Sequence, residues 1–363
     1  MKVYQLSLSA SHWLDALSAI TVTPNLFLLF VSPDFVLKAD VLSELHQRYP
    51  EAIMIGCSTA GEISEITVKD NTIALTAIQF ENTRVKLASV QVEASLSSEK
   101  AGQIIAEKWY AENLKHVFVL SEGLHVDGAE LLAGLKKNLN GVSITGGLAL
   151  ADKNFTKTLV AVGLYGNSLQ VGYGSEGGWD SFGIERLVTK SDKKTLYELD
   201  VESALAIYKR LLGSNVGDFP GKGLLFPLSM RTNENETPVV RGISGINKND
   251  KSLIFGINIP EGAVRPLIKG STYKLIKGAR DSAVAVTQQL KEEVELAILI
   301  SCLGRRLILK QLVEEEVEIV QEVVGRDPKI TGVYSYGEIA PFGEWSPCEL
   351  HHQTMTITTL KEC

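Results

Sequence analysis

The stretch Gly56-Cys57-Ser58-Thr59-Ala60-Gly61-Glu62-Ile63 has a near twin in Ser335-Tyr336-Gly337-Glu338-Ile339. Both carry Gly-Glu-Ile, and both follow an apolar strand, an amphipathic helix and a second short strand. Chance readily supplies a shared tripeptide, but it does not readily place one at matching points of matching arrangements. The pair reads as duplication of a folding unit.

Working outward, the first copy opens with the strand LFLLFV from Leu26. Its helix is marked by Leu37, Val41, Leu42, Leu45 and Tyr49 at near-helical spacing, and Pro50 ends it. The strand from Ala52 to Ile55 meets the quoted turn, and TIALTAIQF follows from Thr72. A second copy starts with HVFVLSEGL at His116. There Asp127 and Glu130 resemble a capping box, and Leu131, Leu132, Leu135 and Leu139 form the buried stripe. VSIT leads into Gly146-Gly147, and TLVAVGLY follows from Thr158. A third copy begins with LAILISC at Leu296. Its helix sets Leu312, Val313, Val317, Val320 and Val324 against Glu314, Glu315, Glu318 and Glu322, with Gly325 at the end.

The Gly-rich stretch VGYGSEGGWDSFG (Val171 to Gly183) separates the second and third copies. After it come a helix-like segment from Leu196 to Gly213, a solvated loop at Asn233 to Thr237, the strand SLIFGINI and the helix GARDSAVAVTQQLKEEVE. The composition turns to Gly, Pro and Asp around 213–223, which predicts a boundary between domains 1–213 and 214–363. The expected fold is mixed α/β (α+β): two related domains of repeated strand-helix-strand-strand units, packed around a shared interdomain pocket.

Composition narrows the function. With 363 residues, 45% hydrophobic and 22% charged, the chain is long enough for two globular domains and too apolar for disorder. Lys and Arg number 36 against 43 Asp and Glu, a formal charge of −7 with no basic run, which disfavours nucleic acid and anionic membranes as partners. No apolar run approaches the ~20 residues of a spanning helix. The start does not read as a secretory signal, and Cys57, Cys302, Cys348 and Cys363 show no CxxC pairing. A reducing, cytoplasmic setting is expected.

Turns after strands are where α/β sheets place ligands. The polar turn residues Cys57, Ser58, Thr59, Glu62, Ser121, Glu122, Thr145, Gly146, Cys302, Arg305, Ser335, Tyr336 and Glu338 are therefore the candidate ligand-binding set. The plainer alternative is that these glycines only permit tight turns. Arg305 close behind Cys302 would favour a thiolate, giving a thiol enzyme as a minor alternative; the competing reading of Cys302 is a small buried hydrophobe. His351 and His352 follow Cys348-Glu349. On a strand they face opposite sides, so one at most meets a given pocket. Neither they nor the other histidines show zinc-site spacing, though a single imidazole could ligate haem iron. The chain lacks GxGxxG after the first strand, GxxxxGK[ST], GxSxG and HExxH, so catalysis is not expected.

Several segments together resemble one family: GCSTAGEI, VLSEGLHVDGAELLAGL, ITGGLA, GYGSEGGWDSFG with LYELD, LLFPL, ISCLGRR, YSYGEIAP and CELHHQTMTITTL. In this order, from about Leu26 to Leu360, they are similar to the FIST sensory proteins, with FIST N and FIST C domains in tandem. His352 departs from relatives that carry Asn there, which leaves His351 as the matching imidazole. The resemblance implies a cytoplasmic input module of signal transduction that binds small ligands, with amino acids as one proposal. It also implies an alternative, because some bacterial members are haem proteins that sense nitric oxide and regulate a histidine kinase. On that alternative His351 would hold the haem. The chain shows no F-box, kinase or DNA-binding segment beside the two FIST halves. The expectation is a stand-alone sensor that passes its signal to a separate protein, such as a histidine kinase.

Overall fold

The computed structural model describes residues 1–35, 38–93, 95–109, 112–139, 141–149, 158–213, 226–231, 239–290, 293–342 and 347–363, without the side chains of 181–183, 264–267 and 269. The first unit runs β1 (Lys2–Leu8), α1 (Trp13–Leu17), β2 (Leu26–Val31), α2 (Lys38–Arg48), β3 (Ile53–Ser58), the hairpin β4 (Glu62–Ser64) and β5 (Thr67–Lys69), then β6 (Ile73–Gln79). The second runs β7 (Arg84–Gln91), α3 (Ser98–Glu107), β8 (Leu114–Glu122), α4 (Gly128–Lys136), β9 (Ser143–Ala149) and β10 (Thr158–Tyr165).

β11 (Leu169–Glu176) opens the third unit, which is interrupted by a module: β12 (Asp180–Asp192), β13 (Thr195–Leu199), β14 (Glu202–Ser203), α5 (Ala204–Leu212), β15 (Leu228–Met230), β16 (Val239–Arg241), β17 (Ile243–Asn247), β18 (Ser252–Phe255) and β19 (Val264–Lys269). The unit resumes with α6 (Thr272–Gln289), β20 (Leu296–Cys302), α7 (Leu303–Leu309), α8 (Glu315–Val324), β21 (Lys329–Ser335), the pair β22 (Gly337–Pro341) and β23 (Cys348–His351), and β24 (Met355–Glu362).

Each unit builds one sheet of the same plan. The strand before the second helix lies parallel to the strand after it: β2 with β3, β8 with β9, β20 with β21. The last strand pairs antiparallel with that first parallel strand and with the opening strand, giving β1-β6-β2-β3, β7-β10-β8-β9 and β11-β24-β20-β21. A parallel pair needs a helical crossover, which α2, α4 and α8 supply. The expected repeat is thus present three times, and β11 precedes the module that splits the third copy.

The units also trade strands. β4 of the first unit pairs with β21 of the third, and β22 of the third pairs with β9 of the second. The corresponding segment of the second unit, 150–157, lies outside the described residues. The 214–225 stretch that holds most of the expected boundary also lies outside them, as does the expected loop at 233–237.

Strands buried on both faces explain the apolar runs. One face of each sheet packs on its own helices: Leu17, Val41 and Leu45 in the first unit, Ile105, Leu131 and Leu135 in the second, Ala283, Val317 and Val320 in the third. The other faces meet in a central core containing Phe30, Cys57, Phe118, Val162, Ile298 and Leu360. The start of the segment expected to be helical from Leu196 is instead strand: β13 to Leu199 and β14 at Glu202–Ser203. Positive φ at Asp200 (50°) and Val201 (62°) turns the chain there, and the helix starts only at Ala204, capped by Ser203.

Candidate functional site

The parallel pairs of the second and third units end side by side, with the module facing them. Between them lies a cavity of about 630 Å³, within the range of small-molecule sites. The second unit contributes Gly123, Leu124, Val126, Gly128 and Leu148, and the third contributes Cys302, Leu303, Gly304, Ser335 and Tyr336. Lys194, Gly242, Ile243, Ser244, Gly256 and Ile257 come from the module, and Leu350, His352 and Gln353 close one side. The local reasons are plain. Cys302 ends β20 where the chain enters α7, and Ser335 ends β21 beside it in register. Asp127 starts α4 by accepting the Ala129 and Glu130 N–H groups at 3.0 and 3.1 Å.

Of the candidate set, Cys302, Ser335 and Tyr336 stand in this wall. Most of the others have buried partners elsewhere. Cys57 belongs to the central core, where burial pushes its thiol up to about 12. Ser58 is buried at the end of β3. Thr59 donates to Glu62, which also accepts from Thr72 N (3.2 Å) and Oγ1 (2.9 Å). Ser121 donates to the carbonyl of Glu122, and the Glu122 carboxylate takes the N–H groups of Leu124 and His125.

Thr145 sits in the middle of the molecule, hydrogen-bonded to His116 Nε2 (2.9 Å) and accepting from Thr358 (2.7 Å). Gly146 is required by packing: its φ is 150°, and a Cβ there would lie 1.8 Å from the Val119 carbonyl oxygen. Arg305 is fully buried. It donates to Glu316 Oε2 from Nε (3.1 Å) and Nη2 (2.9 Å), and to the carbonyls of Gly177 and Leu275. Its charge is therefore neutralised locally, and Cys302 is pushed well up, first by burial and then by Glu338. This favours the reading of Cys302 as a small buried side chain over the thiolate of the minor alternative. Glu338 lies one hydrogen bond behind the wall, accepting from Ser335 Oγ (3.0 Å) and from Thr354 N and Oγ1; burial raises its carboxyl to about 8.

The two histidines face opposite ways, and the one at the cavity is His352. Its ring spans from Gly337 to the module, with Cε1 3.8 Å from where a Cβ on Gly256 would stand. His351 is 1% exposed, with Nε2 2.8 Å from the Ala340 carbonyl and its ring edge-on to Phe342 at 4.2 Å. Burial lowers it to about 4. A ring committed in this way, and absent from the cavity wall, does not fit an axial haem ligand. Among the described residues no group of three or more His, Cys, Asp or Glu could hold a metal ion. The residues not anticipated, Lys194, Ser244, Gly256 and His352, come mostly from the module. The only hint was the pair of Gly-interrupted strands at VRGISGI and SLIFGI.

The model of the FIST N domain matches residues 25–202, and that of the FIST C domain matches 204–341. The chain belongs to the FIST family. FIST domains are sensory domains of signal transduction. No curated protein matches this FIST chain. Among solved structures it is similar to the cyanuric acid hydrolase of A. caulinodans, at 7% identity and a TM-score of 0.41, with 99% of this chain and 98% of that one covered. It is also similar to a chorismatase, at 6% identity and a TM-score of 0.39, with the same coverage. Among the described residues of the FIST chain, no helix is long and apolar enough to cross a membrane.

Proposed function

We propose that this FIST protein is a stand-alone cytoplasmic sensor that binds a small metabolite in the cavity and signals to a separate protein, such as a histidine kinase. The observation that carries the reading is the position of the 630 Å³ cavity, whose wall is shared by the second unit, the third unit and the module. A ligand touching all three favours the arrangement that closes around it. Differential affinity for two arrangements is what carries a signal.

The protein acts by binding rather than by catalysis. The Cys302 thiol is held protonated, and Ser335 is engaged with Glu338 instead of an imidazole. Haem sensing has no support from the environment of His351.

The test combines native mass spectrometry of the purified protein with thermal shift against a broad metabolite library. A ligand that binds only the folded form raises its melting temperature. Ser244→Trp, which fills the cavity from the module side, should abolish the shift. Absence of any bound molecule and of any shift would refute the reading.

A further inference from the structure

We infer that the cavity selects an organic anion with an apolar body, in preference to a zwitterionic amino acid or a cation. The inference rests on the proposed ligand-binding role of the cavity and names the chemistry of its guest.

Much of the wall is apolar: Leu124, Val126, Leu148, Ile243, Ile257 and Leu350 surround the space where the body of a ligand would lie. Among the described wall residues the one formal charge is the ammonium of Lys194, and no Asp or Glu lines the cavity. The carboxylates nearby are already committed. Asp127 Oδ1 caps α4, and its Oδ2 stands 3.8 Å from Lys194 Nζ, beyond a hydrogen bond. Glu122 accepts the Leu124 and His125 N–H groups, Glu338 accepts from Ser335 and Thr354, and Glu349 pairs with Lys136 at 3.5 Å. Lys194 thus shares its charge with Asp127 through a long ion pair, which a guest anion would replace with a shorter one.

A second cation lies just behind the wall. Arg241 is 8% exposed, donates from Nη1 to the Leu350 carbonyl at 2.8 Å, and its Nε has no hydrogen-bond partner among the described residues. His352 lines the cavity within the field of both cations. Burial, Arg241, His351 and Lys194 all act to keep its ring neutral, so it offers a hydrogen bond without adding charge. An anionic head would gain from Lys194 and Arg241 in a partly desolvated setting. An ammonium would meet those same cations with no spare carboxylate to receive it, and a zwitterion would leave half of itself unpaired.

The experiment uses the full chain and a library with anionic, cationic, zwitterionic and neutral members. It includes 4-phenylbutanoate, 4-phenylbutylamine, homophenylalanine and 4-phenylbutanol as a set sharing one body. Hits from thermal shift are titrated calorimetrically against the wild type and Lys194→Met, after the unliganded melting temperature of the variant shows that it folds; the Lys194 side chain is 45% exposed. The expected result is that hits are anions with apolar bodies, that they weaken with added salt, and that Lys194→Met weakens them about tenfold while sparing neutral binders. Hits that are mainly amines, amino acids or neutral molecules, or anions insensitive to Lys194→Met, would overturn the inference and leave the sensor reading standing. No hit of any charge would overturn both.

Discussion

Glu338 accepts both the backbone N–H and the hydroxyl of Thr354, at 3.2 and 3.0 Å. Glu62 makes the same pair of bonds with Thr72 in the first unit. The correspondence is positional as well: Thr72 immediately precedes β6 and Thr354 immediately precedes β24. The shared Gly-Glu-Ile is therefore a clasp, in which a buried carboxyl fastens the turn after one strand to the start of another. In the third unit the clasp also holds Ser335, and so the cavity wall.

The clasp sets a pH dependence. Glu338 rises from an ordinary 4.5 to about 8 through burial, so the folded protein holds a proton that the unfolded chain releases. That contribution is fully present below about 4.5 and is lost as pH rises through about 8. His116, His351 and His352 act oppositely. Their lowered values, about 3, 4 and 3, give stability that grows from there up to about 6.5. The window from about 6.5 to 8 is therefore where Glu338 dominates these groups. Melting temperatures should fall across it in the wild type and fall less in Glu338→Gln. Parallel curves for the two proteins would contradict the assignment.

Arg305 and Glu316 should be structural partners. Both are fully buried, and the arginine also ties down the carbonyls of Gly177 and Leu275. Arg305→Met strands a buried carboxylate, which costs about 3–5 kcal/mol. Urea unfolding measures it, and a loss below about 1 kcal/mol would show that the pair is dispensable.

Thiol reactivity should separate the cysteines cleanly. Cys363 is exposed, whereas Cys57, Cys302 and Cys348 are buried and their thiols pushed up by that burial. Since the thiolate is the reactive form, native protein should titrate one thiol rapidly with a disulfide reagent, and four only after unfolding. Rapid labelling of Cys302, located by peptide mass, would reopen thiol chemistry at the cavity.

Gly146→Ala probes a glycine that reads like a ligand contact and behaves as a spacer. A φ of 150° is strained for any side chain, by about 1–3 kcal/mol, and the approach of Val119 leaves no room for a Cβ. The variant should lose at least that much in denaturant titration. A neutral outcome would mean that β8 and β9 are packed less closely than described.

Much of the architecture could be read from residues alone. Strands such as Leu26 to Val31 and Leu296 to Cys302 are buried along their length and show as unbroken apolar runs. Helices such as α8 show as a valine stripe opposite glutamates. The facing of the turns could not be read in the same way. Arg305 follows Cys302 by three residues, yet α7 turns it inward to Glu316, because spacing does not reveal which side of a short helix finds a buried partner. Alternation along a strand separates His351 from His352, but choosing between them requires knowing what lies on each side. Lys194 and Gly256 depend on how the module sits against the second and third units, which no local pattern encodes.

The exchange of β4 and β22 between neighbours has a mechanical consequence. The first and third units, and the third and second, are joined by continuous hydrogen-bonded sheet, so displacing one from the other means tearing a ladder. The module is tethered differently. The backbone passes between it and the third unit at 177–179 and 270–271. Displacing the module would bend those two crossings and break the Lys194–Asp127 and Arg241–Leu350 contacts, leaving the strand-sharing units as the fixed side of any hinge.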